Sequence, residues 1–315
     1  MRRVLITGAD GFVGSHLVGE ISSLGDVEIL GIGLNSEPAC AADCFKYKTL
    51  DILDKEVLRK TIADFRPDWL FHLAAQPSVA RSWHDPWGTY RTNIGGQLNL
   101  LECLREEGIE ASVHVACSSE EYGMASPDEM PLKENAPLRP CSHYAVSKVG
   151  QEYLALLYKE AFSWRVIVTR GFNQGGPGQS EDFVISSFAK QIAEIEADLI
   201  PPVLKVGNLE AQRDFTDVRD TVRAYRMLME SGGSKVYNVC SGVGRKISDV
   251  LEMMLDLARV PMRVQPDPLR QRPSDIPVFI GDNALIRQEV GWEPSIPFEK
   301  TLLDTIEYWR ARVKA

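Results

Sequence analysis

The chain has 315 residues, of which 44% are hydrophobic and 25% charged, which is typical of a soluble globular protein with one large domain or two of ordinary size. Its 44 acidic residues outnumber its 35 Lys and Arg residues, giving a formal net charge of −9. An acidic chain of this kind is not expected to be a general binder of nucleic acid or of anionic membranes. A few well-placed cations would therefore have to hold any anionic ligand.

The cysteines and the amino-terminal run predict a cytoplasmic protein without a metal. Six cysteines in a chain of this length do not make the framework of a small secreted domain, and no Cys or His spacing resembles a metal site. The first apolar run stops at Thr7, which is too short for an export signal, and no run is long enough to span a membrane.

The first predicted elements are a strand over residues 3–7, a glycine-rich turn over 8–14 and a helix over 15–21. Glycines spaced G-x-x-G-x-x-G let the backbone approach a pyrophosphate, and the following helix N-terminus offers free N–H groups. A plain tight turn is the alternative, but the position directly after the first strand favours dinucleotide binding. The predicted cofactor-binding residues of this turn are Gly8, Gly11, Phe12, Val13 and Gly14.

The second predicted strand, over residues 27–33, bears on the choice of dinucleotide. In NAD-binding folds an acidic residue near the end of this strand binds the ribose hydroxyls. Residues 31–36 read G-I-G-L-N-S and contain no acid, so NADP(H) is favoured and NAD(H) stays possible. No arginine lies there either, and Asn35 and Ser36 are expected to donate hydrogen bonds to a 2′-phosphate.

Two further strand ends are expected to contact the cofactor. A strand over residues 47–54 is predicted to end at Asp51, whose carboxylate either accepts a hydrogen bond from the adenine amino group, with Ile52 beside it, or caps a turn. A buried strand within residues 68–76 runs into small side chains that allow a cofactor to approach closely. The predicted contacts there are Leu73, Ala74 and Ala75.

The remaining elements of the first half continue the alternation of strand and helix. A strand over residues 112–119 delivers Ser118 and Ser119 to the carboxyl edge of the sheet, where ligands bind in open α/β sheets. This pattern predicts an α/β fold, a Rossmann-type doubly wound parallel sheet with helices on both faces. The other elements are helices over residues 86–107 (carrying Asn93) and 143–162, and a strand over 164–170.

Tyr144 and Lys148 are four residues apart in H-Y-A-V-S-K, a spacing that puts both side chains on one face of a helix. A free tyrosine ionises near pH ~10, and a neighbouring ammonium favours the phenolate. The pair could therefore act as an acid or base near neutral pH. The alternative is an ordinary amphipathic helix with a Tyr and a Lys on its exposed side.

These motifs together resemble the extended short-chain dehydrogenase/reductases that modify nucleotide sugars. The glycine turn, S-S-E-E-Y-G (118–123) and the Tyr144/Lys148 pair carry the likeness in the first half. In the second half, R-G-F-N-Q-G-G-P-G-Q (170–179), the stretch 206–220 and R-P-S-D (272–275) look most like the GDP-4-keto-6-deoxy-D-mannose reductases. The resemblance implies NADPH-dependent reduction of the C4 ketone of a GDP-sugar, giving a GDP-6-deoxyhexose such as GDP-D-rhamnose.

The resemblance also implies roles for individual residues. Tyr144 would be the acid/base at the C4 oxygen, Ser118 would hydrogen-bond that oxygen, and Lys148 would lower the tyrosine pKa and hold the nicotinamide ribose. Asn93 would anchor a water relay behind the lysine. The implied substrate-binding residues, on or near a helix over 182–197 and in later loops, are Asn173, Val184, Lys190, Arg213, Arg272 and Asp275.

Two of these substrate residues have a simpler alternative. Lys190 could be a solvated surface lysine, and Arg213 could form a salt bridge to one of the nearby acids at 214, 217 and 220. Binding of the substrate's diphosphate by Arg213 and Arg272 also has a physical reason, because an acidic protein needs local cations to hold a dianion.

Three rival functions stay open. A GDP-mannose 4,6-dehydratase needs a further carboxylate to remove a proton from C5, and Glu120 stands where the dehydratases keep theirs. A C4 epimerase would retain its NAD tightly. A non-enzymatic sensor of nucleotide sugars or NADP would have no need of an intact Ser/Tyr/Lys set.

The predicted organisation is a dinucleotide-binding domain over residues 1–170, with returning segments at about 203–239, and a smaller C-terminal substrate-binding lobe drawn mainly from 171–315. The resemblance also implies a homodimer through the helices at about 86–107 and 143–162. The second half is predicted to contain strands near 203–206 and 214–216 and helices over 218–230, 246–259 and 298–313.

Overall fold

The computed structural model describes residues 1–270 and 276–314, and its centre is a parallel sheet. Seven of the described strands form this sheet in the order β10-β6-β5-β4-β1-β2-β3, which confirms the predicted doubly wound α/β fold. The chain builds outward from β1 in both directions, and ligands in such sheets bind beyond the carboxyl ends of the strands at this switch point. The strands are β1 (Arg2–Thr7), β2 (Val27–Gly33), β3 (Phe45–Thr49), β4 (Trp69–His72), β5 (Ser112–Ser118), β6 (Val166–Gly171), β7 (Asn173–Gly175), β8 (Val203–Val206), β9 (Gln212–Asp217), β10 (Val236–Val239), β11 (Gly244–Lys246), β12 (Arg263–Pro266) and β13 (Val278–Phe279).

Helices cover both faces of this sheet because its strands are apolar on both sides. Val4 and Ile6 of β1 pack in one core with α1 and α8, whereas Leu5 packs in another with α2, α5 and α6. Successive residues of a strand point to opposite faces, so one short run such as V-L-I serves both cores. The helices are α1 (Phe12–Ser22), α2 (Lys55–Phe65), α3 (Val79–His84), α4 (Pro86–Tyr90), α5 (Gly96–Glu106), α6 (His143–Phe162), α7 (Val184–Glu196), α8 (Val218–Ser231), α9 (Ile247–Asp256), α10 (Ala284–Val290) and α11 (Phe298–Val313).

A third core lies in the second half of the chain. It is built by residues of α7, α9 and α11 with Leu204 of β8 and Phe215 of β9. By contrast, β10 joins the central sheet beside β6, and α8 packs against α1. The chain passes between the two parts where β6 ends at Gly171 and β7 begins at Asn173. The exact domain boundaries of the sequence analysis stay a prediction.

Two predicted elements differ from the observed ones. The strand predicted over 47–54 ends at Thr49, because Asp51 turns its carboxylate onto the N–H of Leu53 (2.9 Å) and so closes a turn. The helix predicted over 86–107 is divided into α4, a π-helical turn over Arg91–Gly95 and α5. Within the described residues, no helix is both long enough and apolar enough to cross a membrane.

Candidate active site

The glycine turn joins the end of β1 to α1 at the switch point. Gly8 has φ +71°, and a Cβ at Gly14 would lie 2.1 Å from the carbonyl oxygen of Gly8, so the turn can close only with glycine at both positions. Gly11 is the N-cap of α1 and offers no side-chain cap, which leaves the first-turn N–H groups of Phe12 and Val13 to bind an anion. This arrangement fits the pyrophosphate of a dinucleotide.

The other predicted cofactor residues lie at neighbouring strand ends. Leu73, Ala74 and Ala75 are half-buried directly after β4, and the N–H groups of Leu73 and Ala74 donate to the Thr7 hydroxyl (both 3.2 Å). Asp51 is exposed after β3, where it closes the turn described above. Ile52 is buried in the core between the sheet and α5. Ile52 therefore packs in this core, and its contact with an adenine stays a prediction.

The structure brings Ser118, Tyr144 and Lys148 together at the carboxyl edge of the sheet. Ser118 is the last residue of β5, and Ser142 caps α6 through a hydrogen bond from the N–H of Ala145 (3.0 Å), so Tyr144 lies in the first turn of that helix. All three side chains are buried. The Lys148 ammonium lies 5.9 Å from the centroid of the Tyr144 ring and donates to the carbonyl of Ala116 (2.8 Å).

Burial dominates the titration of this group. It raises the pKa of Tyr144, the Ser118 hydroxyl counteracts that rise, and the charge of Glu120 adds to it. Burial also lowers the pKa of Lys148. The lowering of the tyrosine pKa by Lys148 stays a prediction, since the ammonium is bonded to the Ala116 carbonyl. Glu120 is half-buried beside Ser118, and its main-chain N–H donates to the Ser118 hydroxyl (3.2 Å).

Asn93 lies buried in the π-helical turn and connects three elements. Its Oδ1 accepts from the N–H of Gln76 (2.8 Å), and its Nδ2 donates to the Ser147 hydroxyl (2.8 Å). That hydroxyl donates to the main-chain carbonyl of Tyr144 (2.7 Å). Asn93 therefore holds the first turn of α6 against the end of β4. The role of Asn93 in a water relay stays a prediction.

The sequence analysis missed a buried charge cluster behind Ser118. Arg170 at the end of β6 forms a bidentate ion pair with Glu152 of α6 (2.6 and 2.8 Å) and lies 3.6 Å from Glu121. Glu121 in turn accepts from the main-chain N–H of Ser118 (3.1 Å). One signal for it was available, because Glu152 continues the four-residue spacing of Tyr144 and Lys148 along one helix face. The carboxylates of Glu121 and Glu152 also lie near the Cys117 thiol, but here the Arg170 guanidinium supplies the cation.

The predicted substrate residues have varied surroundings. Asn173 is half-buried at the start of β7, and Val184 is the half-buried first residue of α7. Lys190 pairs with Glu181 and Glu194 and lies over the ring of Trp309, so these contacts hold it between α7 and α11.

Arg213 lies on β9, the strand between β11 and β13 in the sheet of the second half. Its guanidinium donates to the carbonyls of Gln212 (2.9 Å) and Ile276 (2.7 Å). The three acids considered as its partners are bonded by other groups, Asp214 by Ser241, Asp217 by Arg219 and Asp220 by Arg223. Arg272 and Asp275 lie outside the described residues.

A dinucleotide-type sheet edge joined to a Ser/Tyr/Lys group defines the class of the extended short-chain dehydrogenases/reductases. Within that class the chain belongs to the family described as GDP-mannose 4,6 dehydratase, whose model matches residues 5–305. This result confirms the resemblance found from the sequence motifs.

Individual relatives are similar along the whole chain. GDP-6-deoxy-D-mannose reductase of Pseudomonas aeruginosa is 34% identical over 99% of both chains. The structure of RMD from Pseudomonas aeruginosa complexed with NADPH superposes with a TM-score of 0.86, at 32% identity, over 99% of this chain and 100% of that one. The UDP-glucose 4-epimerase of Thermus thermophilus in complex with NAD gives a TM-score of 0.88 at 28% identity, over 98% of this chain and 99% of that one.

Proposed function

We propose that this protein is an NAD(P)H-dependent reductase that converts the C4 ketone of GDP-4-keto-6-deoxy-D-mannose to the alcohol of a GDP-6-deoxyhexose, GDP-D-rhamnose. The observation that carries the proposal is the Ser118/Tyr144/Lys148 group beside the glycine turn, in a chain 34% identical over its whole length to a GDP-6-deoxy-D-mannose reductase. The RMD likeness makes NADP(H) the favoured cofactor, and the NAD-bound epimerase keeps NAD(H) as the alternative.

The residues at the sheet edge have distinct tasks in this reaction. When bound, the nicotinamide supplies the hydride that adds to C4. Ser118 donates a hydrogen bond to the C4 oxygen, and Tyr144 delivers the proton that completes the alcohol. Burial keeps Tyr144 protonated before the reaction, as a proton donor requires. Lys148 stabilises the tyrosinate that remains after the proton has left.

The substrate's diphosphate and sugar need binding groups, and we expect them in the second half of the chain, where β7 and β9 lie. We propose that Asn173 and Val184 contact the substrate and that Arg213, Arg272 and Asp275 bind its nucleotide part. Lys190 remains a weaker candidate, because its ammonium is engaged by two carboxylates.

The test of this reaction is the fall in NADPH absorbance on addition of freshly made GDP-4-keto-6-deoxy-D-mannose. Tyr144→Phe should abolish the fall, because the variant has no proton to give. Tyr308→Phe is the control, since Tyr308 is a half-buried tyrosine on α11, outside both the Ser118/Tyr144/Lys148 group and the proposed dimer face, and it should react at the wild-type rate. A wild-type protein that oxidises neither NADPH nor NADH would refute the proposal.

A dehydratase is the second candidate because of one observation. Glu120 lies close enough to Tyr144 for its charge to raise the tyrosine pKa, so a carboxylate is present beside the reacting oxygen. Formation of a 4-keto sugar from GDP-mannose and NADP⁺, lost in Glu120→Gln, would support this candidate.

We also propose that the protein is a homodimer of the cytoplasm. Trp87, Leu98, Val146, Tyr153 and Leu157 expose apolar surface on α4, α5 and α6, and a second copy presenting the same face would cover it. All six cysteines are free thiols, which suits a reducing compartment.

A further inference from the structure

Asp10, in the middle of the glycine turn, occupies the place where a ribose-binding acid would otherwise stand. Such an acid comes at the end of β2 in NAD-binding folds. Here β2 ends at Gly33, and a Cβ at Gly33 would lie 2.0 Å from Oδ1 of Asp10. The Asp10 carboxylate therefore fills the space that a side chain at the strand end would need. The acid missing from β2 is supplied by the preceding turn.

The Asp10 carboxylate also takes the N–H groups that would face a 2′-phosphate. Its Oδ2 accepts from the main-chain N–H of Leu34 (3.1 Å) and of Asn35 (2.9 Å). The carbonyl of Asn35 is held from the other side, by the hydroxyls of Tyr47 and Thr49 (both 2.9 Å). The loop after β2 is thus fixed with its amides turned onto a carboxylate, while Asp10 itself stays partly exposed.

The charges around this loop do not favour a further anion. From Leu34 to Cys44 the chain contains no Lys or Arg, but it contains the acids Glu37 and Asp43. The two nearest lysines along the chain are engaged, since Lys46 donates to Glu28 and Lys48 donates to the Thr61 hydroxyl (both 2.7 Å). A dianionic 2′-phosphate would meet the Asp10 carboxylate without a neighbouring cation from this loop.

We propose that Asp10 is the residue that sets the choice between NADPH and NADH. Its carboxylate accepts hydrogen bonds from the ribose hydroxyls and repels a 2′-phosphate. Asp10 therefore lowers the affinity for NADPH relative to the affinity for NADH. This inference rests on the proposed cofactor role of the site. The main-chain N–H of Asn35 is donated to Asp10, so it is not available to the phosphate, and hydrogen bonds from the side chains of Asn35 and Ser36 stay a prediction.

The test uses cofactor fragments that need neither substrate nor nicotinamide, namely 5′-AMP and 2′,5′-ADP, with binding measured by titration calorimetry. The wild-type protein should bind 2′,5′-ADP only slightly more tightly than 5′-AMP. Asp10→Asn and Asp10→Ser should tighten 2′,5′-ADP binding by about tenfold by removing a like charge at close range, and leave 5′-AMP unchanged or weaker. The gain should shrink at high salt.

Two controls separate this effect from net charge and from damage to the fold. Glu37→Gln removes an exposed acid of the same loop and should tighten 2′,5′-ADP binding far less than Asp10→Asn, because solvent screens an exposed charge. Asp10→Asn keeps the shape and one acceptor oxygen, so it reports even where Asp10→Ser lowers the unfolding temperature. Equal shifts for both fragments in Asp10→Asn, or the same gain in Glu37→Gln, would overturn the inference.

The fragments also distinguish this inference from the proposed reaction. A protein whose 2′,5′-ADP binding depends on Asp10, but which does not reduce the ketone, would refute the reaction and leave the inference standing. A protein that reduces the ketone with NADPH, and whose fragment binding ignores Asp10, would do the reverse. Failure of the wild-type protein to bind any adenine nucleotide would overturn both.

Discussion

Two carboxyl groups share one guanidinium behind Ser118, and they do not share it equally. Arg170 forms its bidentate pair with Glu152, whereas Glu121 lies farther away and accepts a single main-chain N–H. Burial, followed by the charge of Glu152, raises the pKa of Glu121 to about 8, against the opposing effects of the Ser118 N–H and Arg170. Glu121 therefore keeps its proton at neutral pH, and its neutral carboxyl holds the turn that presents Ser118.

This raised pKa makes a prediction about stability. Because the pKa of Glu121 is about 4.5 in the unfolded chain and about 8 in the folded protein, the folded state binds more protons between these values. Its contribution to the free energy of unfolding should therefore fall as the pH rises through that window, by up to about 1.4 kcal/mol per pH unit, and level off above it. Glu121→Gln, neutral at every pH, should lose this fall in urea denaturation at a series of pH values.

Glu110→Gln is the matched control, since Glu110 is an exposed acid shortly before β5, the strand that Glu121 follows. It should follow the wild-type pH profile. The free energy of unfolding of the wild type minus that of Glu121→Gln should fall as the pH rises. A value that stays constant or increases would contradict the assignment of the proton to Glu121.

At the scale of elements, the π-helical turn over Arg91–Gly95 connects the cofactor side of the sheet to α6. Asn93→Ala would leave the N–H of Gln76 and the hydroxyl of Ser147 without their partner, which should cost about 1–3 kcal/mol of unfolding free energy. Because Ser147 also bonds the Tyr144 carbonyl, we expect the kcat of ketone reduction to fall roughly tenfold or more as Tyr144 shifts.

Asn99→Ala separates positioning from stability. Asn99 is a half-buried asparagine on α5 that donates to the carbonyl of Ile52 (3.1 Å), a partner outside α6. It should lower the free energy of unfolding with little effect on kcat. Equal effects of the two variants on kcat would show that Asn93 only supports the fold.

Elements with local signals were predictable from the sequence, and those set by distant contacts were not. The predicted strand at 27–33 and helix at 143–162 agree with β2 and α6, because the apolar pattern of each lies within its own segment and Ser142 caps α6 from the position directly before it. Asn93 in the π-helical turn bonds Ser147, 54 residues away, and no local pattern reveals such a contact.

The candidate site divides in the same way. Ser118 stands at a strand end, Tyr144 lies in the first turn of α6 and Lys148 follows it by one turn, so motif and placement together predicted them. Asp10 acquires its partners Leu34 and Asn35 only when the turn and the end of β2 meet, and Arg170 meets Glu152 and Glu121 only across the sheet edge. Side chains whose partners lie on other elements need the tertiary structure.

At the scale of the whole molecule, the exposed apolar face of α4, α5 and α6 is a feature that one chain leaves unexplained. Trp87 is 76% exposed, Tyr153 62% and Leu157 60%, which is costly for large apolar side chains unless another surface covers them. The same helices hold Asn93's turn and Tyr144, so a contact between two copies would also stiffen the elements that present the site. A twofold interface on this face would be self-complementary.

We therefore expect the wild-type protein to have about twice the 35.1 kDa mass of its chain in light scattering after size exclusion, and Leu157→Glu to have the mass of one chain. A glutamate at this position of each copy would bury its charge against apolar surface, and the cost of removing that charge from water opposes association. Leu303→Glu is the matched control, because Leu303 is an exposed leucine on α11, and it should remain a dimer. Since Ser118, Tyr144 and Lys148 all come from one chain, the Leu157→Glu monomer should retain part of its reductase activity. A monomeric wild-type protein would refute the dimer, and a dimer unaffected by Leu157→Glu would place the interface elsewhere.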